Sequence, residues 1–147
     1  MDRLQEAIKR ARRGHSEGVL LFIDLDYFQQ TNDTYGHAVG DAVLRAVAKR
    51  LREALRETDT AARVGGDEFV VLLPNLHAAE DALMVGRKLM AALPQPLQIS
   101  QVALTISASI GVTGLHDANN TAQDLMSRAD AATYAAKEAG RGVVRLL

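Results

Sequence analysis

The segment from Val19 to Asp26, VLLFIDLD, constrains the fold of this 147-residue chain more than any other. Side chains alternate between the two faces of a strand, so a run that is apolar on both faces has to be covered on both. Residues 19–26 are therefore expected to form a central strand in a layered α/β fold. By the same alternation Asp24 and Asp26 share one face at the strand's C-terminal end, and Ile23 and Leu25 take the other. Two carboxylates at the end of a buried strand repel each other. A raised pKa, a basic partner or a hard cation such as Mg²⁺ held by oxygen ligands would offset that repulsion. Residues 17–44 contain no Lys or Arg, so metal ligation is favoured for Asp24. For Asp26 two roles stand side by side, ligation and capping of the next helical turn.

The charge pattern sharpens this. The whole chain carries 17 Lys and Arg against 18 Asp and Glu, a net charge of −1. That near-zero sum hides five carboxylates in the cation-free stretch 17–44 and a net +3 on each flank, at 1–13 and 45–63. With no Cys, disulfides and thiolate metal sites are excluded. No Trp, three Phe, three Tyr and no basic excess argue against a nucleic-acid binder. No apolar run approaches the roughly 20 residues that span a bilayer, and no signal-peptide core is present, so a cytoplasmic chain without membrane contact is expected.

The remaining elements follow from periodicity. Leu4, Ile8 and Ala11 predict a lead-in helix ended by Gly14. Val43, Leu44, Val47, Leu51 and Leu55 predict a long helix over 39–57. Thr60 to Val64 and Glu68 to Leu73 read as a hairpin whose turn, Gly65-Gly66, can take positive φ at both positions. A helix is predicted from Ala78 to Leu93, then a strand pair at Leu97 to Gln101 and Ala103 to Val112. A loop over 114–120 leads to a last helix, Thr121 to Ala139, and a terminal strand, Val143 to Leu146. The whole of 1–147 is expected to be one domain with a mixed central sheet flanked by helices.

Asp67 and Glu68 follow the turn glycines directly and, as strand neighbours, are expected on opposite faces, one toward a site and one away. A strand-end Asp combined with a hairpin-tip Asp is an arrangement that can hold two divalent ions, activating an attacking oxygen and neutralising leaving phosphates. By itself a Gly-Gly-Asp turn is structural more often than functional.

Gly65-Gly66-Asp67-Glu68-Phe69 is the full signature of the GGDEF domain family, the bacterial diguanylate cyclases. The chain also resembles that family in FIDLDYF at 22–28, Asn32-Asp33, Gly36-His37, Gly40-Asp41, Arg56-x-x-Asp59, Ser109-Ile110-Gly111 and Tyr134-x-x-Lys137-x-x-x-Arg141. The resemblance implies an α+β, palm-like fold similar to class III nucleotidyl cyclases and condensation of two GTP into cyclic di-GMP and two pyrophosphates. It implies Mg²⁺ or Mn²⁺, two per active site, on Asp24, Asp67 and the Leu25 carbonyl. Asp67 would assist deprotonation of the attacking hydroxyl, with Glu68 beside it in the catalytic group.

Asn32 and Asp41 would read guanine, whose adjacent N–H donors suit a carboxylate, although both residues could equally serve turn and cap duty. Phe28, Gln29, Gly65, Gly66, Lys137 and Arg141 would complete the substrate site. Without the resemblance, Lys137 and Arg141 read as helix-end cations serving the dipole. Each site takes one GTP, so a homodimer is implied. Arg56 and Asp59 match the family's inhibitory product site, an Arg fork and a carboxylate reading opposite edges of one guanine.

Two departures bear on activity. Gln29 stands where the family usually has Lys, and Gly142 where Asn is common. The family's D-x-L-T-G-L-x-N-R-R opening is absent from 1–147, so an upstream sensory or receiver domain is expected, and the full-length protein could be membrane-anchored. The alternative to a competent cyclase is a catalytically silent module that binds cyclic di-GMP or GTP and regulates a neighbouring domain.

Overall fold

A computed structural model describes residues 6, 9, 18–74, 76, 79–114, 122–142 and 144–146. The elements run β1 (Val19–Asp26), α1 (Phe28–Tyr35), α2 (His37–Ala54), β2 (Thr60–Arg63), β3 (Glu68–Leu73), α3 (Ala79–Ala92), β4 (Leu97–Ile99), β5 (Val102–Leu104), β6 (Ser107–Gly114), α4 (Ala122–Glu138) and β7 (Val144–Leu146). The main sheet has the order β2-β3-β1-β6-β7, with β1 in the centre. All its pairings are antiparallel except β6 with β7, so the sheet is mixed. Helices α2 and α3 pack one face against Leu21, Ile23 and Leu25, and buried Ala136 of α4 lies on the other. The apolar run of β1 is thus covered on both sides, and that coverage is what makes its end a buried place for carboxylates.

Several expected boundaries shift for local reasons. The eight residues of α1, FQQTNDTY, carry no apolar stripe and bury none of their side chains fully, so periodicity does not announce this helix. Helix α2 starts at His37, after Gly36 at φ +92°, rather than at 39. It stops at Ala54 rather than 57, since Leu55 is already extended. The single strand expected over 103–112 is two strands. Val102–Leu104 forms a separate hairpin with Leu97–Ile99, and Ser107–Gly114 joins β1.

The Gly65-Gly66 turn differs as well, because neither glycine has a positive φ. Strand β2 ends at Arg63, leaving a four-residue loop closed by Val64 N–H donating to the Glu68 carbonyl at 3.0 Å. Arg63 Nε donates to the carbonyls of Gly65 and Gly66 at 3.0 and 3.2 Å. A Cβ on Gly65 would lie 2.9 Å from Glu68 Oε2, the tip of a side chain that can move aside, and one on Gly66 would meet open space. Glu6 and Lys9 are helical, and the rest of the expected lead-in helix and the loop over 115–120 lie outside the described residues.

Candidate active site

Strand β1 ends between β3 and β6, so both neighbours bring side chains to Asp24 and Asp26. Glu68 of β3 and Ser109 of β6 face Asp24 across the ladder, and Ser107 faces Asp26. Directly paired residues share a sheet face. The hairpin loop is tied to the same place by Leu25 N–H donating to the Asp67 carbonyl at 3.1 Å. Asp67 precedes β3 instead of lying in it, so strand alternation does not separate it from Glu68. Both carboxylates add negative potential at Asp24.

That crowding is visible in the acid strength of Asp24. Burial, with the Asp67 charge next and smaller contributions from Glu68 and Asp26, pushes its carboxyl up to about 6, against a partial counter-effect of Lys137. Burial also raises Glu68, helped by Asp130 and Asp67. A carboxylate held at such a cost is a natural ligand for a cation. Asp24, Asp67 and the Leu25 carbonyl offer only oxygen donors, the set that Mg²⁺ and Mn²⁺ prefer. Among the described residues no three acidic or His side chains converge on one point, so two carboxylates and backbone oxygen are what the chain itself brings.

Asp26 behaves differently. Its side chain is fully buried. Oδ2 accepts from Ser107 Oγ at 2.6 Å and Gly142 N–H at 3.2 Å. Oδ1 accepts from Ser109 Oγ at 2.8 Å and Lys137 Nζ at 3.0 Å, with Arg141 3.7 Å away. Burial disfavours its charge, but the bonds from Ser107, Lys137 and Ser109 outweigh that and hold the carboxyl below the usual range. Four hydrogen bonds occupy its two oxygens, so the carboxylate is already fully engaged by the chain itself. It does not cap α1 either, since the N-cap of that helix is Tyr27 and no side chain makes a capping bond there. Both roles left open for Asp26 are thereby replaced. The cations absent from 17–44 arrive from the end of α4, more than a hundred residues along the chain.

Arg141 stacks on the exposed Tyr27 ring at 4.9 Å, and both residues are left-handed, at φ +65° and +60°. Gln29 is exposed on the first turn of α1, and Phe28 packs against the core.

On the opposite side of the β1 end, α1 meets α2 where Gly40 is buried beneath Asn32. A Cβ on Gly40 would fall 1.7 Å from Asn32 Oδ1. That oxygen is itself buried and has no hydrogen-bond partner among the described residues. Asp41 is the next residue and lines a cleft of about 580 Å³ between α2 and the β2–β3 edge, floored by Leu44 and Phe69 and rimmed by Arg45, Arg52 and Arg63. Arg56 and Asp59 lie apart, in the turn after α2. The Asp59 carboxylate accepts from Arg56 N–H at 2.9 Å and from its guanidinium at 3.4 and 3.5 Å, with Asp59 buried and Arg56 exposed.

Sequence reasoning assigned no role to Ser107, Tyr27 or Gly142 in this cluster. The signal was present in one respect: Asp24-x-Asp26 and Ser107-x-Ser109 share a period of two, which lets the two pairs face each other once their strands are neighbours.

A mixed sheet whose central strand ends in carboxylates, beside a hairpin bearing two more, defines a palm-like domain of the nucleotidyl-cyclase type. The family model "Diguanylate cyclase, GGDEF domain" matches residues 1–143, and the chain belongs to that family. It is 46% identical over 140 residues to the bifunctional diguanylate cyclase/cyclic di-GMP phosphodiesterase MucR of Pseudomonas aeruginosa, covering 95% of this chain and 20% of MucR. It is 40% identical over 145 residues to diguanylate cyclase TpbB of the same organism, covering 98% of this chain and 33% of TpbB. The chain thus spans a third or less of the length of these relatives. The crystal structure of the TpbB GGDEF domain superposes with a TM-score of 0.90, covering 99% of this chain and 91% of that one. The GGDEF domain of DgcB from Caulobacter crescentus, solved with c-di-GMP, gives 0.88 at 31% identity, covering 99% and 86%. No helix among the described residues is long and apolar enough to cross a membrane.

Proposed function

We propose that this chain is a diguanylate cyclase domain that condenses two GTP into cyclic di-GMP and two pyrophosphates. The observation that carries the reading is the orphaned acceptor of Asn32, buried beside Asp41 and Gly40. Buried acceptors are almost always satisfied, so this one, packed at the α1–α2 contact next to Asp41, is read as awaiting a ligand's donor. Guanine has the N1 and N2 donors for Asn32 and Asp41, and adenine would leave them unpaired.

Mg²⁺ or Mn²⁺ on Asp24, Asp67 and the Leu25 carbonyl would supply Lewis-acid stabilisation of the phosphates. Asp67, with Glu68 beside it, accepts the proton of the 3′-hydroxyl. Lys137 and Arg141 orient the triphosphate, and with Gln29 in place of a cation they carry that task without help from α1. One GTP per site requires two copies to meet face to face. The deciding experiment is incubation of the purified chain with GTP and Mg²⁺, followed by chromatography. Cyclic di-GMP is expected from wild type and none from Asp67→Ala; absence of product at high wild-type concentration sinks the reading.

TpbB and MucR are longer than this chain, so 1–147 is read as a single catalytic domain that works beside others. Cyclic di-GMP is also proposed to bind at Arg56, whose exposed fork suits the O6 and N7 acceptors of guanine while buried Asp59 braces it. Calorimetry with cyclic di-GMP is expected to show binding that Arg56→Ala weakens at least about tenfold; equal affinity in the variant contradicts a product site here.

A further inference from the structure

Lys137 stands between two carboxylates, with Nζ 3.0 Å from Asp26 Oδ1 and 3.8 Å from Asp24 Oδ1. A single ammonium is within ion-pairing reach of both, and the pairing it prefers decides whether Asp24 is open to a metal. We infer that Asp26 is a positioning residue whose task is to hold Lys137 off Asp24, leaving one carboxylate for the divalent cation and keeping the ammonium for phosphate. This rests on the metal and GTP reading given above.

Three observations support it. Asp26 is wholly inaccessible while 18% of the Asp24 side chain is exposed, so an unpaired charge is far more costly at Asp26 and Lys137 is drawn there. The Asp26 carboxylate cannot swing away, because Ser107, Ser109 and the Gly142 amide fix both oxygens from two different elements. Arg141 and Gly142 both adopt left-handed backbone at φ +65° and +58°, with the Gly142 amide on Asp26 and the Arg141 guanidinium on Tyr27. A non-glycine residue persists there only when its surroundings hold it, which marks this turn as built around the carboxylate. Without the charge at 26, the nearest acceptor for Lys137 is Asp24, and the ion pair formed there competes with the metal.

The test is equilibrium binding of Mn²⁺ to the purified chain, read by the loss of its free-ion paramagnetic resonance signal, with no nucleotide and no turnover. Asp26→Asn is expected to weaken Mn²⁺ binding about tenfold. Adding Lys137→Met to that variant is expected to restore it, with a gain clearly larger than the one Lys137→Met gives in the wild-type background. A merely structural loss at 26 would not be repaired by removing a lysine. Unchanged binding in Asp26→Asn, or no rescue by Lys137→Met, overturns the inference. Should Asp26→Asn fail to fold, Ser107→Ala with Ser109→Ala, which frees the Asp26 carboxylate without removing its charge, takes its place: unchanged Mn²⁺ binding there overturns the inference. Binding that is indifferent to Asp24→Asn overturns the metal reading and this inference with it, whereas binding that needs Asp24 but ignores Asp26 overturns only the inference.

Discussion

Asp24→Asn is expected to abolish cyclic di-GMP formation and, in the same molecule, to raise the melting temperature at neutral pH. The two effects have one origin. Burial and the neighbouring carboxylates raise the folded-state pKa of Asp24 to about 6, above its unfolded value of 3.8. The unfolded chain therefore releases this proton first, and stability falls as pH rises from about 4 to 6, with the full cost remaining above that window. The cost is on the order of 2 kcal/mol, and Asn removes it. Melts at pH 7.5 and pH 3.5 check the sign, since the gain is expected at the first and not at the second. Added Mg²⁺ is expected to stabilise wild type and not the variant. A variant no more stable than wild type at pH 7.5 would mean that Asp24 carries no such burden.

Gly40→Ala is expected to remove nucleobase recognition without replacing a polar side chain. The new Cβ would occupy the place of Asn32 Oδ1, 1.7 Å away. Either Asn32 swings out, or α1 shifts from α2 at an overpacking cost of about 1–3 kcal/mol. In both cases the orphaned acceptor leaves its position. GTP affinity is expected to fall at least about tenfold while the preference for GTP over ATP collapses. Mn²⁺ binding, which depends on the far side of the β1 end, is expected to persist. Calorimetry with the two nucleotides measures this, and undiminished selectivity would remove Asn32 from base recognition.

The parts of this site that could be read in advance were those written in contiguous residues. VLLFIDLD specified a central strand and the face of its carboxylates, and the glycine pair located the hairpin. What stayed hidden was tertiary. Asp24 and Asp26 look equivalent in the chain, yet one is crowded by Asp67 and Glu68 and the other is neutralised by Lys137, Arg141 and two serines. No local pattern distinguishes them, because the difference lies in which neighbour strand each one faces. Helix α1 was hidden for another reason: it is polar throughout and owes its place to α2 rather than to a buried stripe of its own. The turn glycines were legible as a turn, but neither takes the positive φ that the dipeptide suggests, and only Gly65 lies close to Glu68.

The central strand also bears on how such a site can adjust. Asp24 sits on a strand bonded along both edges and covered on both faces, so it behaves as a fixed jaw. Asp67 sits in a four-residue loop at the end of a hairpin and is joined to that jaw through the Leu25 amide. Lys137 and Arg141 close from the end of a helix through side chains alone. On the proposed function, accommodation of ions or phosphates of different size would fall on the loop and the helix end, while the Asp24 carboxylate stays where the core puts it.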